Sequence, residues 1–203
     1  MSDRESKTDS RPRINVGLAA FVVSLNLAAP VVAGPLKDGV KAVNRRDYAT
    51  ALRLLRPLAE QGNPQAQGLL GLLYETGKVV PQDYTAAALW YREAAERGDR
   101  LAQHNLAVMY ANGRGVPHDE AESQRWYRKA AEQGDASAQS LVGSAYLFGR
   151  GAPKDLVQAY MWLNLAALGG EPGAAQTRDG LEPFMTAEQI AEAQRLTREW
   201  KPK

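Results

Sequence analysis

The sequence predicts an all-α protein, a right-handed superhelical solenoid of antiparallel helix pairs. Three observations carry that expectation. The chain aligns with itself at a shift of 36 residues, without a gap, over three consecutive units. Each unit holds two stretches whose apolar residues recur at helical spacing, and each repeats one loop phrase, "YETGKVVPQD", "YANGRGVPHD" and "YLFGRGAPKD". A constant period in this range belongs to stacks in which every unit buries its apolar face only against its neighbours. About ten helices in five pairs are expected.

Residues 1–33 stand outside the pattern. A polar start with basic residues, the apolar run "INVGLAAFVVSLNLAAP" and the small residues of "VVA" before Gly34 follow the order of a secretory signal peptide cleaved after Ala33. An uncleaved membrane anchor is the alternative, because residues 14–33 reach the length of a short transmembrane helix. Ser24, Asn26 and Pro30 interrupt that run and favour cleavage. Either way the solenoid is exported, and a periplasmic or secreted location without stable membrane insertion after signal removal is the expectation.

Residues 34–62 read as an N-terminal capping helix pair. "RRDYATALRLLRPLAEQG" repeats the second helix of a unit, with Tyr48 in place of Tyr84 and Leu54 in place of Trp90, after a short helix over residues 36–44. Units 63–98, 99–134 and 135–170 share one logic. In the first, Asn63 caps, Pro64 takes the first helical position where no N–H is needed, and Ala66, Leu70, Leu73 and Tyr74 come round to one side. Gly77 stops that helix. Pro81 keeps the loop non-helical and Asp83 caps the second helix, whose buried stripe is Ala87, Trp90, Tyr91, Ala94 and Ala95. The positions recur as Tyr74, Tyr110 and Tyr146; Gly77, Gly113 and Gly149; Asp83, Asp119 and Asp155; and Trp90, Trp126 and Trp162, all with structural roles. Glu122 and Gln158 stand three residues after Asp119 and Asp155, the spacing of a capping box. Residues 171–203 supply C-terminal capping helices, the last starting at Thr186.

These residues together resemble the Sel1-like repeat family, a relative of tetratricopeptide repeats with a longer interhelical loop. "AQHNLAVMYANGRGVPHDEAESQRWYRKAAEQG", residues 102–134, is similar to the family phrase almost letter for letter, and the likeness covers residues 45–170. Residues 66–98 depart from it at Val79, where the family prefers Gly, so that loop is expected to take another backbone path. Residues 138–170 depart at Val142 and Ala152. The resemblance implies a protein-interaction scaffold of the small exported bacterial type, acting in signalling, envelope or host-contact processes.

Composition excludes much of the competing chemistry. The chain has no cysteine, which removes thiolate nucleophiles, cysteine metal sites and redox pairs. His104 and His118 are the only histidines, and both occupy positions that vary between units. The repeated aspartates are explained as helix caps, and "GRG" follows a helix instead of a strand and lacks a following G-K-[ST]. The cysteine-rich relatives described as acting on penicillins pair their helices by disulfides, which this chain cannot do, and it has no S-x-x-K, S-D-N and K-T-G set. No catalytic residue, cofactor or metal is therefore assigned. The charge is balanced, 25 Lys and Arg against 23 Asp and Glu, and residues 1–33 hold four and three of these, which leaves 21 against 20. That is not the footprint of a nucleic-acid binder.

A module binding a protein or peptide partner is the leading expectation, with an envelope enzyme or cell-wall glycan-binding factor as the alternative. Two surfaces are candidates for partner contact. One is a groove of first helices, with Gln67, Leu72, His104, Val108, Gln139 and Ser144 read as outward positions. The other is a loop edge where Lys78, Arg114 and Arg150 share one register and would guide an acidic segment of a partner.

Overall fold

The helix starts of all three repeated units carry side-chain caps. The computed structural model describes residues 33–151 and 153–203; the leader expected over residues 1–33 lies outside them, apart from Ala33. The helices are α1 (Ala33–Asn44), α2 (Tyr48–Glu60), α3 (Pro64–Thr76), α4 (Tyr84–Glu96), α5 (Arg100–Asn112), α6 (Glu120–Glu132), α7 (Ala136–Phe148), α8 (Leu156–Leu168), α9 (Ala174–Asp179) and α10 (Ala187–Glu199), with a 3₁₀ turn at Glu182–Phe184. No strand occurs among the described residues. First helices start on Asn63, Asp99 and Asp135, and second helices on Asp47, Asp83, Asp119 and Asp155. In every case the cap oxygen accepts the N–H three residues on, satisfying a donor that the helix cannot. Among the described residues the complete capping box is at Thr186 and Gln189. At Asp119 the Glu122 carboxylate is taken by Arg125 instead.

Gly77, Gly113 and Gly149 end the first helices in the left-handed conformation, with φ of 64°, 64° and 70°. Two residues on, Gly115 also has a positive φ, and a Cβ there would stand 2.0 Å from the Tyr84 carbonyl oxygen at the start of α4. The loop therefore lies directly on the preceding unit, which only glycine permits. Val79 fills the equivalent place without a positive φ, the single described non-glycine with one being Arg46. That loop takes the different path its sequence implied.

Consecutive helices pack pairwise from α1 to α9, and α10 turns back onto α8. Alanines at repeated positions, among them Ala66, Ala102, Ala138, Ala94 and Ala130, are fully buried and let backbones approach closely. The core falls into two clusters, one over α1 to α3 and a larger one over α4 to α10. Trp126 and Trp162 are buried as expected. Trp90 is only half-buried, because the surface over it is an open cavity.

Trp126 is buried in the larger cluster, so Trp126→Ala should cost about 3–5 kcal/mol. His118 is exposed in a loop, and His118→Ala should stay within about 0.5 kcal/mol. Urea unfolding of the two variants checks this; equal shifts in midpoint would contradict the packing described.

Candidate functional site

The first-helix face is built differently from its sequence expectation at two residues. Gln67 and Gln139 are not outward but 97% buried, each with 3% exposure. With Gln103 they form a ladder: the side-chain Nε2 of each donates, at 3.1 Å, to the carbonyl of Ala59, Ala95 or Ala131 eight residues earlier. Those carbonyls belong to the last turn of the preceding second helix, where each also accepts the N–H of the glycine three residues on. The amide closes one unit onto the next. Its signal was present in the sequence, since glutamine stands at this register in all three units.

His104 is also an interlayer group. Its ring meets Tyr127 edge-on at 5.5 Å between centroids, and Nδ1 lies 3.3 Å from Oδ1 of Asp135, the cap of α7. Leu72, Val108 and Ser144 are half-buried, Leu72 and Val108 packing against the core. The large apolar side chains that first helices present to solvent are Leu101, Leu141 and Phe148. Leu101, with Leu69 and Leu72, lines a small cleft of about 90 Å³ between α3 and α5. Sequence reasoning missed these leucines, because they lie beside the alanine stripe and do not recur at 36 residues.

A second ladder runs between units. Arg56, Arg92 and Arg128 each donate to the hydroxyl of Tyr74, Tyr110 or Tyr146 on the next first helix, at 3.3 and 2.7 Å for the first two. The series ends at Asn164, whose Oδ1 accepts from Arg178 and whose Nδ2 donates to Thr197 of α10. The cations of the loop edge are exposed, and each lies over an aromatic ring: Lys78 over Tyr48 at 5.4 Å, Arg114 over Tyr84 at 5.8 Å and Arg150 over Phe148 at 5.4 Å. They brace the loops as well as charging the edge.

Burial sets the titration of the inner groups. It pushes the Tyr127 hydroxyl up to about 12, and together with the Glu75 carboxylate, which accepts from Tyr91 at 2.7 Å, it raises Tyr91 further. Among the described residues no group of three or more His, Cys, Asp or Glu is placed to hold a metal ion, and no helix is long and apolar enough to cross a membrane.

The family model described as Sel1 repeat matches residues 36–63, 64–99, 100–135 and 136–171, so the N-terminal helix pair aligns as a further unit. The chain is similar to a solved Sel1 repeat protein from Oxalobacter formigenes, at 34% identity and a TM-score of 0.69 over 71% of this chain and 60% of that one. It is also similar to a protective antigen of uropathogenic Escherichia coli strains displaying an SLR fold, at 30% identity and a TM-score of 0.55 over 75% of this chain and 40% of that one. The chain thus spans less than two thirds of either structure. No curated protein matches it.

Asp135 links the His104 contact to stability. Burial works against its charge, but hydrogen bonds from His104 and the Ala138 N–H hold its carboxyl below the ordinary aspartate value. A lowered folded value gives stabilisation that is present at neutral pH and lost as pH falls through it. Asp135→Ala should therefore cost about 1 kcal/mol at pH 7, and its gap from wild type should narrow below about pH 4. Urea midpoints across pH 2–7 test this; a constant gap would contradict an ionic contribution.

Proposed function

The chain belongs to the Sel1 repeat family, and from that premise we propose that it is an exported protein-interaction module without a reaction of its own. Repeat proteins of this family are generally protein-interaction scaffolds. The observation that carries the proposal here is the exposure of Leu101 and Leu141 on neighbouring first helices, Leu101 beside the cleft at Leu69 and Leu72. Apolar side chains set in a polar rim are what an interface centre uses. The helices between them are fixed by the glutamine and arginine–tyrosine ladders, so partner residues would meet a preformed surface and lose little further ordering free energy. The cations at Lys78, Arg114 and Arg150 would act earlier, by steering an acidic segment during encounter.

Export supports a partner outside the cytoplasm. A chain beginning at Gly34 would keep all of the described helices but the first residue of α1. N-terminal sequencing of the fractionated protein should find Gly34 outside the cytoplasm; an intact chain in the membrane fraction would instead favour the anchor.

Crosslinking and capture from the exported compartment test the interaction itself. Leu101→Glu with Leu141→Glu should retain wild-type helicity and lose the captured protein. Reversal of Lys78, Arg114 and Arg150 to Glu should slow association and remove its salt dependence without unfolding, as exposed positions usually cost less than about 0.5 kcal/mol each. Unchanged capture and association rate in both variants would overturn the two surfaces.

A further inference from the structure

An open cavity can be compared with the places at the same register one and two units on. It lies between α2 and α4, encloses about 480 Å³, and is lined by Ala59, Glu60, Gln67, Leu89, Trp90 and Arg97, among others. One unit on, the equivalent space is filled by the chain itself. Arg125 and Lys129, which replace Leu89 and Glu93, both stand 4.3 Å from the Trp126 ring centroid. Gln133, which replaces Arg97, donates to the Gly98 carbonyl at 3.0 Å and to Gln103 Oε1 at 2.8 Å.

Two units on, the chain's C-terminus supplies the filling. Trp200 and Pro202 lie 3.8 and 4.0 Å from where a Cβ would stand on Gly134, the counterpart of Gly62. Lys203 donates its backbone N–H to the Glu132 carbonyl, and its ammonium pairs with the Glu132 carboxylate at 2.9 Å. Glu132 is the counterpart of Glu60.

In the first layer the cover is thinner, with Arg97 Nε 3.8 Å from where a Cβ would stand on Gly62. Leu89 is 57% exposed, and Arg97 is turned to Glu93, donating to its carboxylate at 2.6 Å and to its carbonyl at 2.8 Å. Gln67 Nε2 is committed to Ala59, and its buried Oε1 has no hydrogen-bond partner. An orphaned buried acceptor costs about 1–3 kcal/mol, so a donor entering the cavity would recover a contact that the next layer already makes.

We propose that this cavity binds a basic peptide segment of a protein partner. The segment places a lysine or arginine against Trp90 and the Glu60 carboxylate, an apolar residue on Leu89 and Ala86, which also lines the cavity, and an N–H donor on Gln67 Oε1. The chemistry is that of the internal occupants: cations over tryptophan in one layer, and an aromatic–lysine–proline–lysine segment in the other. The site rests on the interaction-module proposal but uses a different surface from the first-helix leucines.

The test uses the full chain and a labelled synthetic peptide of residues 197–203, TREWKPK, by fluorescence anisotropy. Wild type should bind it saturably. The variant Leu89→Arg, Glu93→Lys, Arg97→Gln rebuilds the cover of the next layer; it should bind at least tenfold more weakly while its urea midpoint stays at or above wild type. A peptide with both lysines changed to glutamate should not bind. Absence of saturable binding by wild type, or equal binding by the variant, would overturn the proposal. So would self-association in sedimentation that the variant abolishes and the peptide does not compete, since the occupant would then be another copy of this chain. A protein still captured by the variant but lost with Leu101→Glu and Leu141→Glu would leave the interaction module standing and remove this cavity from it.

Discussion

Burial shared between neighbours is the constraint on which the rest of the structure depends. A two-helix unit of 36 residues has no interior of its own, and its alanine and aromatic stripes leave water only when the next unit covers them. Ala94, Ala95 and Tyr91 of α4 share one core with Leu106 and Met109 of α5. Each later layer is held in the same way. The polar ladders follow from this geometry: once a first helix lies on the end of the preceding second helix, a glutamine can reach a carbonyl in its last turn, and an arginine can reach the next tyrosine hydroxyl. Neither ladder would form in an isolated unit.

The same constraint explains how the ends differ from the middle. An outer layer lacks one neighbour, so its exposed side must be made polar or covered. At the C-terminus α9 and α10 cover α8, and Arg178 and Thr197 take up the amide of Asn164, which ends the arginine series. The N-terminal side has a helix pair but no comparable cover over Trp90. Where the next unit has Arg125, Lys129 and Gln133, this one has Leu89, Glu93 and Arg97, and the cavity is open.

The helix pairs, their caps and their stopping glycines were legible because each depends on residue type at a fixed local position: Asp83, Asp119 and Asp155 announce helix starts wherever they occur. Side-chain direction was less legible. Gln67 looks like any polar helix residue until the preceding helix end is placed beside it, although its recurrence as Gln103 and Gln139 marked it as structural. Trp90 shares its register with Trp126, and its partial exposure depends on Leu89 and Glu93, whose effect appears only when the layers are superposed. Leu101 and Leu141 break the pattern, and a repeat comparison discards such positions as noise.

Neighbour-only burial predicts that the stack opens in parts. The cluster over α1 to α3 is smaller than the one over α4 to α10, and the open cavity lies where they meet. Hydrogen exchange followed by mass spectrometry along the full chain measures this directly, because protection reports the free energy of local opening. The account predicts slowest exchange in α5 to α8 and distinctly faster exchange in α1 to α3. A single, uniform protection from α1 to α10 would show one global cooperative unit and contradict it.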